Sequence, residues 1–320
     1  IYKVPLLLKA QNVAEIIANQ LRMYLPKGMP NISPWEALCK RLDSLDKTVS
    51  IALVGKYTSG ADAYLSVERA LQHAAMAVSR KLNIIWVIAE HLQDDAAAAD
   101  KATAFKQLEQ ADGILVPGGF GDRGVVGKIN ACKYAREKKK PFLGVCLGMQ
   151  VAVIEVAQNI LKWKDADSQE FNKDSKNPVI IFMPEGSKTH MGGTMRLGTR
   201  RTILKDENCT TAKLYAGSFI DERHRHRYEV NPAKIKELEK AGLKFVGMDE
   251  TGQRMEIVEL ADASHPFFVA AQFHPELKSR VMVPSPLFYG LLRAAAGQSI
   301  ADEPDHPQSP RKKRRAVAQA

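Results

Sequence analysis

A cysteine on a predicted tight turn is the feature that most constrains the fold. The apolar run Pro141 to Val145 leads into Gly144-Val-Cys-Leu-Gly148, and helix-forming residues follow from Val151 to Leu161. A strand, a turn with small residues on both sides and a helix form a nucleophile elbow, which raises Cys146 above the end of a sheet. Backbone N–H groups beside such a turn can stabilise negative charge on a reacting group. The pattern therefore predicts a nucleophilic thiol on an α/β sheet.

Apolar and periodic segments alternate on both sides of this turn. Short apolar runs occupy residues 48–54, 83–89, 113–116 and 141–145, and helical periodicity occupies residues 63–81, 102–110 and 125–138. Strands buried on both faces that alternate with helices favour a doubly wound, mostly parallel sheet. Such sheets place their sites at the carboxyl ends of strands, where Cys146 is predicted to lie.

Other elements are predicted more locally. Two helices are expected in residues 10–24 and 34–45, a short strand in 179–183, strands of a less regular lobe in 194–204 and 223–230, a helix from Asn231-Pro232 to Lys240, strands in 255–260 and 267–273, and a last helix in 286–296. The sequence contains no internal repeat, which excludes a solenoid.

A second predicted strand end carries a base and a carboxylate. The run Phe267 to Phe273 is typical of a buried strand, and His274-Pro275-Glu276 follows it directly. An imidazole there can take a proton from sulfur, and a carboxylate two residues later can fix the imidazole tautomer. We therefore predict a triad of Cys146, His274 and Glu276.

The basic charge does not indicate nucleic-acid binding. The formal net charge is +10, but five positive charges fall in Arg311-Lys-Lys-Arg-Arg315, within a polar, Pro-rich tail. No interleaved aromatic residues accompany them, so no nucleic-acid partner is expected. The tail is interpreted either as a nuclear-import signal or as a solvated, disordered end.

Four further patterns exclude other classes of protein or site. The four cysteines, Cys39, Cys132, Cys146 and Cys209, show neither a C-x-x-C pair nor the density of a disulfide framework, and no apolar segment is long enough to span a bilayer. A reduced, cytoplasmic protein is expected, and the start at Ile1 suggests part of a longer chain.

Two patterns that could indicate ligand sites do not match them. Gly55-Lys56 lacks the first glycine and the hydroxyl residue of a phosphate loop, so no ATP site is predicted there. Arg223-His-Arg-His-Arg227 places two histidines on one strand face without a third ligand, so no metal site is predicted. His190, His265 and His306 have no partner pattern.

Together these motifs resemble the class I glutamine amidotransferases, whose nucleophile turn carries Gly-x-Cys-x-Gly and whose later His-Pro-Glu completes the triad. Pro117-Gly-Gly-Phe-Gly121 is similar to the family loop that lends a backbone N–H to the oxyanion hole. The resemblance implies Gly119 and Leu147 as the oxyanion donors. It is closest to one branch, the glutaminase halves of CTP synthases, and runs from about residue 1 to 297. The segments that carry it are residues 113–124, 141–150, 192–198 and 222–231.

The resemblance also implies a glutamine site. Its residues would be Gly119, Leu147, Gly148, Met149, Gln150, Glu170 and Arg227. Arg227 would hold the α-carboxylate of L-glutamine, because a guanidinium fork suits a planar carboxylate, and Glu170 would hold the α-ammonium group. Arg123 would lie near a site for a GTP activator.

Three segments follow from the same resemblance. Residues 1–46 would end a synthetase domain and its linker, residues 47–298 would form the glutamine amidotransferase domain, and residues 299–320 a disordered basic tail. The chain itself would need no cofactor, whereas the synthetase domain would use Mg²⁺ and ATP to aminate UTP, in a homotetramer or filament. Two alternatives remain open from the residues alone: a cysteine hydrolase of related fold, such as a peptidase or chaperone, and a non-catalytic assembly module.

Overall fold

The computed structural model describes residues 1–24, 31–56, 63–183 and 195–300. The chain divides into two compact units, residues 1–47 and a larger unit that begins at Thr48. In the described part of the first unit lie α1 (Val4–Ala10), α2 (Val13–Gln20) and α3 (Ser33–Asp43). The helix predicted over residues 10–24 is present but shorter, as α2, and Asn12, in a left-handed conformation with φ 53°, separates it from α1. Asparagine tolerates this conformation better than most residues.

The larger unit alternates strands and helices through most of its length. The described strands are β1 (Thr48–Gly55), β2 (Lys81–Ile88), β3 (Gly113–Val116), β4 (Phe142–Val145), β5 (Ala166–Ser168), β6 (Asn177–Phe182), β7 (Arg196–Leu204), β8 (Phe219–His226), β9 (Tyr228–Val230), β10 (Leu243–Asp249), β11 (Met255–Leu260) and β12 (Phe268–Ala271). The described helices are α4 (Leu65–Ala77), α5 (Ala98–Gln110), α6 (Val125–Glu137), α7 (Leu147–Asn159), α8 (Thr210–Tyr215), α9 (Ile235–Lys240) and α10 (Pro286–Ala295).

Within the described residues, one nine-stranded sheet organises this unit, in the order β2-β1-β3-β4-β12-β11-β10-β7-β8. The five strands from β2 to β12 are parallel, and antiparallel pairing begins between β12 and β11. A smaller sheet contains β5, β6 and β9. The prediction of a doubly wound, mostly parallel sheet is confirmed.

Apolar side chains cover both faces of the parallel strands. Ala52, Val54 and Val116 belong to one buried cluster together with α5, α6 and α7. Ile51, Leu53 and Leu115 belong to a second cluster with α4 and α10. Alternate residues of a strand point to opposite faces, so these strands need apolar residues at every position. This explains their continuous apolar runs.

The prediction of a less regular lobe is wrong. Residues 196–204 and 219–226 extend the main sheet as β7 and β8, which pair in antiparallel register from Arg196 with His226 to Ile203 with Phe219. The run predicted as one strand over residues 223–230 is broken at Arg227, and β9 beyond it pairs with β6 in the small sheet. The chain thus changes sheets at Arg227.

Candidate active site

Cys146 lies on the predicted elbow between β4 and α7. Its backbone has φ 53° and ψ −104°, a strained conformation for a residue other than glycine. The neighbouring glycines permit the turn: a Cβ on Gly148 would lie 2.1 Å from Val116 O, and a Cβ on Gly144 would lie 2.7 Å from the Gly148 carbonyl carbon. The chain therefore accepts local strain to present this thiol.

Two backbone hydrogen bonds fix the ends of the strands that carry the triad residues. Cys146 N donates to Ala271 O at 2.7 Å, which continues the parallel pairing of β4 with β12. His274 N donates to Arg223 O at 2.7 Å, which ties the end of the β12 segment to β8. The sheet, rather than a long loop, thus brings the sulfur and the imidazole together.

The three predicted triad residues meet at this edge. His274 Nδ1 lies 2.8 Å from Glu276 Oε1, and Cys146 is close enough to raise the pKa of the His274 side chain. Both His274 and Cys146 border Gly118, because a Cβ there would lie 2.9 Å from His274 Cε1 and 3.3 Å from Cys146 Cβ. Burial lowers the pKa of His274, but the interactions with Cys146 and Glu276 outweigh it and raise that pKa to about 10. An imidazole placed in this way can hold a proton taken from sulfur.

A pocket opens beside the thiol. It is lined by Gly119, Phe120, Cys146, Leu147, Gln150, Glu170, Arg225, His226, Arg227 and Tyr228. Among the described residues, Gly148 and Met149 are not part of this lining: Gly148 packs against Val116, and the Met149 side chain is fully buried in the core. Arg123 forms an ion pair with Glu90 at 3.0 Å and donates to Lys56 O at 2.6 Å.

The pocket contains side chains of both charges. Glu170 Oε1 accepts from Gly121 N at 3.5 Å. The pKa of Glu170 is raised, because burial outweighs the opposite effects of this N–H and of the charges of Lys56 and Arg227. The amide of the preceding Gln169 accepts a hydrogen bond from Phe182 N at 3.2 Å. Arg227 occupies the break between β8 and β9, where its carbonyl accepts from Met183 N at 3.0 Å. A carboxylate and a guanidinium in one pocket suit a ligand that carries an ammonium and a carboxylate.

Gln272 contacts the thiol but was not predicted from the sequence. Its Nε2 lies 3.7 Å from Cys146 Sγ, and its Oε1 accepts from Gln150 Nε2 at 3.2 Å. Gln150 Nε2 also donates to Tyr228 O at 3.0 Å, which links the elbow helix to the wall of the pocket. The sequence did contain an indication of its role, because Gln272 is the one amide side chain in the apolar run of residues 267–273.

The two histidines of β8 are buried on one strand face, as predicted, while Arg223 and Arg225 are exposed. Burial lowers the pKa of His224 to about 2 and that of His226 to about 3. His224 Nδ1 lies 3.1 Å from His226 Nε2, and His226 Nδ1 lies 3.1 Å from Tyr228 O. Across the described ranges, no group of three or more His, Cys, Asp or Glu residues is arranged to hold a metal ion.

The remaining cysteines are buried away from the pocket lining. Burial raises the pKa of Cys39, raises that of Cys132 well above its usual range and raises that of Cys209 to about 11. His265 is buried, with Nε2 at 3.1 Å from Ala135 O. His190, His306 and the basic run Arg311 to Arg315 lie outside the described residues. In the part of the chain that the structure describes, no helix has the length and apolarity needed to cross a bilayer.

Comparisons with known proteins agree with this geometry. The model of the family "Glutamine amidotransferase class-I" matches residues 60–294. CTP synthase 1-B of Xenopus laevis is 50% identical over 305 residues, which cover 93% of this chain and 51% of the relative. CTP synthase 1 of Homo sapiens is 49% identical with the same coverage. The chain thus spans about half the length of these relatives.

One solved structure is similar over nearly its whole length. It is the glutaminase domain of a CTP synthase of Trypanosoma brucei with bound acivicin, with a TM-score of 0.74 and 41% sequence identity. The match covers 82% of this chain and 97% of the trypanosomal one.

Proposed function

The chain belongs to the class I glutamine amidotransferase family, and from this premise we propose that it is the glutaminase domain of a CTP synthase, which hydrolyses L-glutamine to glutamate and ammonia. The observation that carries the proposal is the strained elbow that presents Cys146 beside His274 in the wall of a pocket. The similarity to a glutaminase domain over 97% of that domain supports it.

The two charges of the pocket select the substrate. The Arg227 guanidinium binds the α-carboxylate of glutamine, and the Glu170 carboxylate binds the α-ammonium group. With both ends held, the side-chain amide reaches the thiol. Both groups are free only in an amino acid, whereas within a peptide they form amide bonds. The pair therefore favours glutamine over the peptide substrate of a cysteine peptidase.

The chemistry then proceeds in two halves. His274 takes the thiol proton and Cys146 Sγ attacks the amide carbon. His274 then gives this proton to the amide nitrogen, so the C–N bond breaks, ammonia leaves and a glutamyl thioester remains. His274 next activates a water molecule that attacks the thioester, which releases glutamate and restores the thiol. Glu276 fixes the imidazole tautomer and stabilises its charged form.

Negative charge on the substrate oxygen is stabilised by backbone donors. The Leu147 N–H stands at the first turn of α7, where N–H groups have no partner within the helix, and the Gly119 N–H comes from the loop after β3. A Cβ at Gly119 would lie 3.9 Å from Leu147 Cδ2, so the loop contacts the Leu147 side chain. Each such donor contributes roughly 2.7 to 4 kcal/mol to transition-state stabilisation.

We extend the proposal to a longer protein of which this chain is about half. Residues 1–46 would end a synthetase domain that uses ATP and Mg²⁺ to activate UTP, and ammonia from the site would displace phosphate to give CTP. The complete enzyme would act as a ligase, as a homotetramer or filament. GTP would activate glutamine hydrolysis near Arg123. The 50% identity to CTP synthases of about twice this length supports this part of the proposal.

Glutamate release by the purified chain tests the proposal, with Cys146→Ser as the variant and Cys39→Ser as the control. We expect Cys146→Ser to abolish hydrolysis, because a serine hydroxyl is far less ionised than a thiol. A glutamine chloroketone should add once to the unaltered chain, at Cys146, as seen by intact mass and peptide mapping. Near-normal hydrolysis by Cys146→Ser, or labelling at another cysteine, would contradict the assignment.

A further inference from the structure

Lys128 is a lysine without exposed surface beside the proposed oxyanion loop. It lies in the first turn of α6 and is 0% exposed. Lysine is almost never fully buried unless its charge is paired. Gly127 allows α6 to pack closely against Ala89, because a Cβ at Gly127 would lie 1.7 Å from Ala89 O. The charge is thus held inside the protein by the packing of α6.

The ammonium group lies against the backbone of the loop. Lys128 Nζ donates to Pro117 O at 3.4 Å and lies 3.6 Å from the position that a Cβ on Gly119 would take. A second ammonium binds the other end of the same loop, since Lys56 Nζ donates to Phe120 O and, at 3.3 Å, to Gly121 O. The two lysines therefore hold carbonyl groups on both sides of Gly119.

The loop needs such contacts because of its composition. Gly118 and Gly119 have no side chains, and glycine has access to more backbone conformations than any other residue. The Gly119 N–H faces the substrate oxygen in only some of these conformations. Pro117 O belongs to the Pro117–Gly118 peptide plane and Phe120 O to the Phe120–Gly121 plane, so the two lysines fix one peptide plane on each side of the segment Gly118 to Phe120. Fewer conformations then remain open to the segment between them, including the peptide that carries the Gly119 N–H.

We propose, on the basis of the proposed function, that Lys128 is a positioning residue for glutamine hydrolysis: its ammonium binds Pro117 O from the protein interior and holds the loop with the Gly119 N–H directed at the substrate oxygen. The role concerns the transition state more than substrate binding, because the negative charge on that oxygen develops only during the reaction. Loss of Lys128 should therefore lower kcat more than it raises KM.

The protonation state of Lys128 gives the role a pH signature. Burial lowers the pKa of Lys128 to about 8, and the charge of Lys56 lowers it further in the same direction, while Cys146, Cys132 and Glu90 oppose the shift. Below pH 8 the group is a cation that binds Pro117 O firmly, and above pH 8 it becomes a neutral amine with a weaker hydrogen bond. We expect kcat to fall as the pH rises through about 8.

Glutamine hydrolysis by Lys128→Met, measured from pH 6 to 9.5, tests the proposal. Methionine has a similar length, and replacing a buried charge by an apolar group is often neutral or stabilising, so the melting temperature should not fall. We expect kcat at pH 7 to fall about 10- to 100-fold, less than the 10²- to 10³-fold lost with an oxyanion donor itself. The KM for glutamine should change little, and the decrease near pH 8 should disappear.

Two further variants separate this role from a merely structural one. Lys128→Arg keeps its charge throughout this range, so the decrease in kcat near pH 8 should also disappear in that variant. Lys138→Met, at the exposed end of α6, is the control and should retain the kcat and pH profile of the unaltered chain.

Several outcomes would overturn the proposal. One is a Lys128→Met variant with unchanged kcat and pH profile, and another is a loss of kcat that only follows a loss of folded protein. If Lys128→Met does not fold, a constant kcat between pH 7 and 9.5 in the unaltered chain is sufficient to reject the role. If the unaltered chain releases no glutamate, the proposed function fails and this inference fails with it.

Discussion

Arg227 occupies a single position between two sheets, and this placement determines what its side chain can contribute. Arg223 and Arg225 lie on the exposed face of β8, and the Arg225 guanidinium lies 5.3 Å from the centre of the Phe120 ring. Arg225 and Arg227 both line the pocket, but Arg227 follows the end of the strand, where its charge lowers the pKa of Glu170. Of the three arginines in the motif, we therefore expect Arg227 to bind the substrate carboxylate.

Replacing Arg227 by Ala should raise KM far more than it lowers kcat, because the α-carboxylate is bound alike in the ground state and the transition state. A charge-assisted contact of this kind contributes roughly 1.5 to 3 kcal/mol, which corresponds to about a 10- to 150-fold increase in KM. Steady-state kinetics of glutamate release measure both constants. Arg223→Ala, an exposed change on β8, is the control. An unchanged KM in Arg227→Ala would remove Arg227 from the substrate site.

A site residue could be predicted from the sequence when it belongs to a local motif. It could not be predicted when only a tertiary contact brings it to the site. Cys146, His274 and Glu276 each stand at a strand end, and parallel strand ends share one edge of a sheet, so their meeting followed from local pattern. Lys128 and Gln272 become relevant through neighbours far away in the sequence, such as Pro117 O and Cys146 Sγ. No local spacing encodes those distances.

At the scale of elements, the elbow depends on close contact between α7 and β3. A Cβ at Gly148 would lie 2.1 Å from Val116 O, a distance that side chains do not tolerate. Gly148→Ala should therefore force the start of α7 away from the strand and destabilise the protein by about 1 to 3 kcal/mol. The Leu147 N–H moves with the helix, so hydrolysis should fall as well.

Urea unfolding and chloroketone labelling measure the two effects of Gly148→Ala. The matched control is Gly217→Ala, because Gly217 is exposed and a Cβ there would be 3.6 Å from its nearest neighbour, Phe219 O. Equal stability of the two variants would show that the elbow tolerates a shift of α7.

The buried histidines of β8 predict a specific loss of stability in acid. Their pKa values, about 2 for His224 and about 3 for His226, lie below the ordinary value of 6.5. Below pH 6.5 the unfolded chain therefore takes up protons that the folded protein excludes, so stability is present above this pH and is lost as the pH falls. Each histidine should cost about 1.4 kcal/mol per pH unit in this range.

His226→Gln should reduce the pH dependence of the free energy of unfolding between pH 6 and pH 4. Urea unfolding at a series of pH values measures this slope, which should decrease by about one proton relative to the unaltered chain. The variant is expected to be less stable at pH 7, because the contact with Tyr228 O changes, but this offset does not affect the slope. An identical slope would mean that His226 is protonated in the folded protein.

Strands could be located from the sequence when both of their faces are buried. Strands with one buried and one exposed face were harder to assign to a sheet. The parallel strands are buried on both faces and read as continuous apolar runs, which located β1, β3 and β4 closely. In contrast, β7 carries charged residues on an exposed face, and this pattern did not distinguish a sheet edge from a separate lobe. The short elements β5 and α8 contain too few residues for a periodic signal.

At the scale of the whole molecule, we expect this chain to hydrolyse glutamine and not to synthesise CTP. The sequence contains no G-x-x-x-x-G-K-[ST] loop, and the chain covers 51% of CTP synthase 1-B of Xenopus laevis. The chain supplied with UTP, ATP, Mg²⁺ and either glutamine or ammonium should form no CTP, as measured by nucleotide chromatography. Glutamate release should be slow, because the loop after β3 samples its competent conformation less often without the remainder of the enzyme. Formation of CTP by this chain alone would contradict the proposal that CTP synthesis requires a separate synthetase domain.

The position of β12 in the main sheet has a consequence for how such a protein can change. β12 is the last parallel strand, and β4 beside it leads to the thiol, so the pairing of these two strands brings the two reacting groups to one edge of the sheet. Arg227 and Tyr228, in contrast, follow the outermost antiparallel strand. Changes at Arg227 and Tyr228 can reshape what the pocket admits, whereas a change in the length of β8 before Arg223 would also reach the imidazole, because Arg223 O accepts a hydrogen bond from His274 N. The residues just beyond the end of β8 can therefore change the ligand that fits the pocket, while the paired ends of β4 and β12 keep the thiol and the imidazole in place.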